Sequence, residues 1–163
     1  MGALLDRWGE ARFEAWLRSL RDNGARVYDG NATVVRAIRN GEIDVGLTDT
    51  DDVWHAQRNG WAIDMTIAPD ATDAPGSMLM PNTAALIKRP DTPDAARALL
   101  DWILSPRCEA LLAESDSRNI PIFASIAAEH PDLAIERPWR PDFAAVAGAT
   151  PEAMRIVDRV FGP

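Results

Sequence analysis

The segment from Val27 to Trp54 constrains the fold of this chain more than any other segment. It reads as a strand, a turn, a helix and a second strand, followed by threonines and aspartates where another helix begins. Each predicted strand therefore leads into a helix N-terminus, which gathers unpaired backbone N–H groups and the positive end of a helix dipole. Because ligands of open α/β sheets bind beyond the carboxyl ends of the strands, this segment predicts a binding site.

The rest of the chain continues the alternation of strand and helix patterns, so we predict an α/β fold with βαβ order in the first 70 residues. Strands are predicted over residues 26–28, 43–47, 62–68 and 77–88. Helices are predicted over residues 3–22, 33–39 and 49–57. A further helix is predicted from the Thr92-Pro93-Asp94 start to residue 104, and a separate one follows it to about residue 113. The last predicted helix starts at Thr150-Pro151 and runs to the end of the chain. In the helix after Asp94, the apolar face is expected to point inward through Ala95, Leu99, Leu100, Trp102 and Ile103.

Composition excludes several classes of protein. A net charge of −8 and a pI near 4.7 argue against binding to nucleic acid or to an anionic membrane, because both require a basic surface. The single cysteine, Cys108, allows neither an internal disulfide nor a multi-thiolate metal site, and its apolar surroundings in the sequence predict a small buried residue. The N-terminus lacks the features of a secretory signal, and no apolar run approaches the ~20 residues that span a bilayer.

The cluster Thr48-Asp49-Thr50-Asp51-Asp52 has three interpretations. Its carboxylates could bind a hard cation, although the spacing of a calcium loop is absent. Its side chains could instead cap the following helix and complement the helix dipole. They could also contact a small ligand, with the adjacent Trp54 supplying an aromatic surface.

The turn before the preceding helix offers a second candidate contact. Backbone N–H groups and the side chains of Asn31 and Thr33, on either side of Ala32, could hold an anionic or polyhydroxyl ligand, or could simply cap the helix. His55 and His130 have no third histidine or further thiol to complete a zinc site. Because no catalytic motif is found, we predict no catalytic residue, no cofactor and no metal.

Several ordered blocks of sequence resemble the ferric-iron-type solute-binding proteins of ABC importers, which have a type 2 periplasmic-binding-protein-like fold. The blocks are residues 29–52, 76–88 and 92–106, together with Asn119-Ile-Pro-Ile122 and the last helix. The resemblance implies a two-lobed α/β protein of the periplasm that closes over a solute and delivers it to a membrane permease. It implies no enzymatic activity.

The resemblance also indicates which solute to expect. Iron-binding members carry two adjacent tyrosines where this chain has Thr50 and Asp51, and Tyr28 is the only tyrosine here. Thr48 and Asp49 stand where iron-binding members have amides that help to hold an anion. We therefore expect a small polar or anionic solute rather than ferric iron, bound by Asn31, Ala32, Thr33, Thr48, Asp49, Thr50, Asp51 and Trp54.

Members of this family are about twice as long, so the resemblance covers their C-terminal half. We expect an α/β ligand-lobe core over residues 1–70, a hinge over 71–76, elements of the second lobe over 77–115, and an irregular segment with a final helix over 116–163. Such a partial protein, whether an excised fragment or a natural truncation, would expose sheet edges and apolar faces. A homodimer that covers these faces is therefore expected.

Two other functions remain open at this point. Asp49, Asp51 and Asp52 could bind Mg²⁺ in a phosphoryl-transfer enzyme. Alternatively, the chain could be an interaction module that has kept the fold and binds no solute.

Overall fold

The chain folds as a set of helices. A computed structural model describes residues 1–162, of which about half are helical (52% of the chain). The α-helices are α1 (Gly2–Trp8), α2 (Glu10–Asp22), α3 (Asn31–Arg39), α4 (Thr50–Arg58), α5 (Asp94–Ile103), α6 (Pro106–Glu114), α7 (Ala124–Glu129) and α8 (Phe143–Phe161), with a 3-10 helix at Pro131–Leu133. Within residues 1–162, no helix is both long enough and apolar enough to cross a lipid bilayer.

The prediction of an α/β fold of the type 2 periplasmic-binding-protein class is wrong. Apart from single bridge residues, no part of residues 1–162 forms a strand, and there is no sheet. The segments predicted as strands, at 26–28, 43–47, 62–68 and 77–88, contain no regular strand. Alternating side chains favour an extended backbone, but a strand also requires a neighbouring segment to pair with its N–H and C=O groups. Val45 and Leu47 are accordingly 85% and 75% exposed.

The chain divides into two compact units. The first contains Met1–Asp29 and the segment from Trp139 onward. Its core is an apolar cluster shared by α1, α2 and α8, formed by Leu5, Phe13, Leu17, Ala153, Ile156 and Val160. On the surface of this unit, Arg159 donates to Glu14 at 2.5 Å and to Glu10 at 3.4 Å. The helix predicted over residues 3–22 is interrupted because Gly9 adopts a φ of 74°, which favours glycine and separates α1 from α2.

The start predicted for the final helix at Thr150-Pro151 is also wrong. Helix α8 begins at Phe143, after Asp142 caps it by accepting from the N–H of Ala144, and it continues through Pro151. Thr150 does not cap a helix and instead donates its hydroxyl to the carbonyl of Val146 one turn earlier. Thr-Pro is a common helix start, but proline is tolerated inside a helix when tertiary packing offsets the missing N–H.

The second unit contains Gly30–Pro138. Here α3 packs against α4 through an apolar cluster of Val35, Val53, Ala56 and Ile63, with Ile38, Trp61 and Met65 at its edge. The connection between the two helices lies close to α3 at Gly46, where a side chain would collide with Val34. Both helices lie close to the predicted ranges, 33–39 and 49–57.

Helices α5 and α6 lie near the predicted positions, but the apolar face of α5 does not point inward. No residue of α5 is buried, and Leu99 and Trp102 are 57% and 46% exposed. Thr92 closes a turn with the backbone of Arg89 and does not cap the helix. Cys108 in α6 is buried, as predicted. Amphipathic spacing thus predicted the helix α5 but not a partner for its apolar face.

Leu17 and Leu47 provide a matched test of which side chains are packed in a core. Leu17 is 1% exposed in the α1–α2–α8 cluster, whereas Leu47 is 75% exposed. We expect Leu17→Ala to lower the free energy of unfolding by about 3 kcal/mol and Leu47→Ala to change it by less than about 0.5 kcal/mol. Urea unfolding of both variants measures this, and similar losses for the two variants would contradict the packing described.

Candidate functional site

The structure brings the starts of α3 and α4 together. The Asn31 side-chain amide, at the first residue of α3, donates to the carboxylate of Asp49 at 2.5 Å. The Thr48 hydroxyl donates to the backbone carbonyl of Asn31 at 3.3 Å. The two helix starts are therefore joined by two side-chain hydrogen bonds, between residues that are 18 and 17 positions apart in the sequence.

These side chains do not cap their own helices. Asp49 is the N-cap residue of α4 and Gly30 is that of α3, and neither supplies a side-chain cap bond. Asp49 instead accepts from Asn31 of the neighbouring helix. Side-chain capping by Asn31 and Asp49 is therefore not seen, whereas Asp51 and Asp52 do stand in the first turn of α4, where acids complement the helix dipole. The first turn of a helix keeps N–H groups that another acceptor can use.

Beside this junction lies a cavity of about 430 Å³, which we call the acidic cavity. Of the predicted site residues, Ala32 and Asp51 line it. Asp52 and His55, which the sequence brought forward only in connection with a metal, also line it. The remaining lining residues were not predicted; they are Val35, Arg36, Arg58, Trp61, Asp116 and Ser117. Those on α3 and α4 follow from helical spacing once the two helices are paired. Asp116 and Ser117 come from the turn after α6, and no local signal in the sequence pointed to them.

Three carboxylates make up the acidic part of the site. Burial, and then the nearby charge of Asp49, raise the pKa of Asp51 above its ordinary value. The pKa of Asp52 is raised to about 6, first by burial and then by its hydrogen bond to Asp49 and by the charges of Asp49 and Asp51. His55 acts in the opposite direction on Asp52. The site therefore holds a proton under mildly acidic conditions, and Asp52 can act as a donor there.

Cationic side chains line the same cavity. Arg36 donates to the Thr33 hydroxyl at 3.1 Å, which fixes one end of its guanidinium. Thr33 itself does not line the cavity. Arg58, the last residue of α4, lies 3.5 Å from the carboxylate of Asp116. The lining of the acidic cavity therefore carries both negative and positive charges. Asp51 and Asp52 come from the start of α4, and Arg58 comes from its end.

Trp54 lies apart from the other predicted residues. It lines a second cavity of about 280 Å³, which we call the arginine pocket, together with Gln57, Arg58 and Arg118. The guanidinium of Arg118 lies over the indole of Trp54 at 5.2 Å from the ring centroid, which is within the ~6 Å range of a cation–π contact. Arg58 lines both cavities and so forms the wall between them.

The described residues also bear on the metal interpretation. Among residues 1–162, no group of three or more His, Cys, Asp or Glu side chains is arranged so that it could hold a metal ion. Tyr28, the only tyrosine of the chain, belongs to the unit that contains Met1–Asp29. Its hydroxyl is buried and has no hydrogen-bond partner among residues 1–162.

Comparison with known proteins identifies the family. The family model for bacterial extracellular solute-binding proteins matches residues 5–139. The chain belongs to this family. No curated protein and no solved structure gives a significant match. The matched region includes all of α3 and α4, the helices whose starts form the junction described above.

Family membership confirms the general part of the sequence interpretation. This bacterial extracellular solute-binding protein has the solute-binding role of an ABC-type transporter, and the family acts outside the cytoplasm with a membrane permease as its partner. The family is one of binding proteins rather than enzymes. Three points stay predictions: the ferric-iron type of the family, the coverage of only its C-terminal half, and the division of the chain into lobe and hinge segments.

The raised pKa of Asp52 leads to a prediction about pH. The folded protein keeps the Asp52 proton up to about pH 6, whereas the unfolded chain releases it near the ordinary pKa of 3.8. The Asp52 contribution to the free energy of unfolding should therefore fall as pH rises from about 4 to 6 and stay constant above that range. Asp52→Asn should remove this contribution and gain about 1 kcal/mol over the wild type between pH 4 and pH 7, because partial exposure screens the full effect.

Urea unfolding at pH 4, 5, 6 and 7 measures the difference between variant and wild type. Asp44→Asn, at an exposed position between α3 and α4, is the control and should show a constant difference from the wild type. A constant difference for Asp52→Asn as well would contradict the assignment of a raised pKa to Asp52.

Proposed function

We propose that this protein binds a small polar or anionic solute at the junction of the α3 and α4 starts and delivers it to an ABC permease. The predicted contacts are Asn31, Ala32, Thr33, Thr48, Asp49, Thr50, Asp51 and Trp54; of these, Trp54 lines the arginine pocket and not the acidic cavity. The observation that carries the proposal is the hydrogen bond from Asn31 to Asp49, because it holds two helix N-termini beside one cavity in a chain of the solute-binding family. Helix N-termini offer backbone N–H groups and a favourable dipole to a polar or anionic group.

The protonation of the acidic cavity supports a polar solute in particular. A carboxylate held in its neutral form donates a hydrogen bond, while its ionised neighbour accepts one. Below about pH 6, Asp52 can donate in this way beside Asp49, and Arg36 adds a donor on the opposite helix that does not depend on the protonation of Asp52. Hydroxyl groups of a solute can use donors and acceptors together, which suits a sugar-like or sugar-phosphate molecule. Ferric iron fits poorly, because Thr50 and Asp51 stand where the iron-binding members have tyrosines.

A thermal-shift screen tests the proposal. The panel contains sugars, sugar phosphates, small oxyanions and Fe³⁺. A solute present at 100 times its dissociation constant should add about 2.7 kcal/mol to the free energy of unfolding. We expect a polar or anionic member to stabilise the protein and Fe³⁺ to have no such effect.

Two asparagine variants show whether the stabilising solute uses the proposed site. Asn31→Ala removes a predicted solute contact together with the donor that holds Asp49, and should weaken binding about tenfold, which corresponds to the loss of one hydrogen bond worth about 1.4 kcal/mol. Asn40→Ala is the matched control, because Asn40 lies after the C-terminus of α3 and donates to Glu42 at 3.0 Å. Equal binding by Asn31→Ala and the wild type would contradict the site, and a stabilising effect of Fe³⁺ would contradict the solute class.

We further propose that a second copy of the chain covers the apolar face of α5. Leu99, Trp102 and Ile103 are 57%, 46% and 39% exposed, and Leu111 and Leu112 of α6 are 50% and 40% exposed. Exposed apolar surface of this kind is typical of interfaces. A net charge of −8 opposes self-association over long distances, so the contact depends on apolar area and should persist in salt.

Light scattering at micromolar concentration and 0.15 M salt tests the homodimer. We expect the mass of two chains for the wild type and of one chain for Trp102→Glu, because a charge at this position would have to be buried in the interface. Asp101→Glu, the adjacent exposed position on the same helix, is the control and should stay dimeric. A monomeric wild type would contradict the proposal.

A further inference from the structure

The arginine pocket is an independent feature of the unit Gly30–Pro138. Its lining consists of Trp54, Gln57, Arg58 and Arg118, which provides two guanidinium groups and no carboxylate. Three of these residues, Gln57, Arg58 and Arg118, were not part of the predicted solute site. The charge of this lining is therefore opposite to that of the acidic cavity on the other side of Arg58.

The Arg118 side chain is held in place from two sides. Its Nη2 donates to the carboxylate of Asp132 at 2.7 Å, and its guanidinium lies over the Trp54 ring at 5.2 Å from the centroid. The bond through Nη2 leaves the N–H groups on Nε and Nη1, since a guanidinium has five N–H donors. A fixed guanidinium of this kind loses little side-chain freedom when a ligand binds.

The backbone at Arg118 has an unusual conformation. Its φ is 47°, in the left-handed region that non-glycine residues rarely adopt. The surrounding turn holds this conformation, because the Ser115 and Ser117 hydroxyls lie 2.9 Å apart and Ser117 donates to Asn119 at 2.5 Å. Backbone strain of this kind persists only where neighbouring contacts determine it, and it is concentrated at functional positions.

Arg58 provides the second guanidinium from the last turn of α4. Its Nε lies 3.5 Å from the carboxylate of Asp116, so the two terminal nitrogens remain as a fork. Asp116 and Asp132 have 90% and 64% of their side chains exposed and pair with one edge of each guanidinium from outside the pocket lining. The groups that line the pocket itself are the two arginines, Trp54 and Gln57.

We propose that the arginine pocket binds the carboxylate group of a small organic acid with a flat apolar body. A carboxylate accepts two parallel N–H bonds from a guanidinium fork, and this pairing is stronger and more directional than a neutral hydrogen bond. The part of the Trp54 indole that the Arg118 guanidinium does not cover gives an apolar wall against which a flat body can lie. The volume of about 280 Å³ is sufficient for a single-ring acid and does not require the acidic cavity.

Calorimetric titration of the full chain with benzoate and with benzamide tests this site. The two molecules have nearly the same shape, and only benzoate carries the charge that pairs with a guanidinium. We expect benzoate to bind with one site per chain and benzamide to bind at least about tenfold more weakly, as the loss of a charge-assisted pair implies. Equal affinities, or no saturable binding of benzoate, would overturn the proposal.

Variants locate the benzoate site within the fold. Arg118→Gln and, separately, Arg58→Gln should each raise the benzoate dissociation constant at least about tenfold. Arg97→Gln, on α5 and outside both cavity linings, is the matched control and should bind benzoate as the wild type does. Because a change at Arg118 could disturb its turn, Arg58→Gln, which lies on α4 and outside that turn, keeps the test independent of it.

The same titration separates this site from the proposed solute site. Asn31→Ala alters the junction of α3 and α4 and should leave the affinity for benzoate unchanged. If Asn31→Ala and Arg118→Gln weakened benzoate binding equally, the arginine pocket would not be a separate site and the proposal would fail. A failure of the solute screen, in contrast, would leave the prediction for benzoate in force.

Discussion

The packing of α3 against α4 is the constraint on which the candidate site depends. Val35 and Val53 are buried at 2% and 3% exposure between the two helices, and Gly46 lets the connecting segment lie against Val34. Burial of these side chains contributes about 1.5–3 kcal/mol each, which exceeds the net worth of an exposed polar bond. The bond from Asn31 to Asp49 is therefore a consequence of apolar packing that fixes the two helix starts at hydrogen-bonding distance.

Once the helix starts are joined, opposing electrostatic effects act on the acids at α4. The helix dipole and backbone N–H groups favour ionised carboxylates in the first turn. Burial and the mutual repulsion of Asp49, Asp51 and Asp52 favour protonation. Burial and repulsion prevail at Asp52, because they raise its pKa to about 6. Below that pH the acidic helix start both donates and accepts hydrogen bonds, which a purely anionic cluster does not.

The sequence predicted local features well and long-range features poorly. Helical spacing identified α3, α4 and α6, and the turn residues around Asn31 and Asp49 indicated two helix starts that do converge. The alternation at residues 43–47 predicted a strand, which was wrong because pairing depends on a distant partner segment. Asp116, Ser117 and Arg118 reach the cavities from a turn that is about 60 residues beyond α4, and no periodic pattern encodes that approach.

The division of charge between the two cavities follows from helix physics. On α4, Asp51 and Asp52 occupy the first turn and Arg58 the last, which is the order that complements a helix dipole. Six or seven residues of helix separate these charges by about 9–10 Å, too far for an ion pair and about the length of a small solute. Arg58 can therefore face an acidic cavity on one side and a second guanidinium on the other. Acids in the first turn and a base in the last turn stabilise the helix and also make one end of it negative and the other positive. Trp54 is one turn before Arg58 and therefore lies toward the positive end.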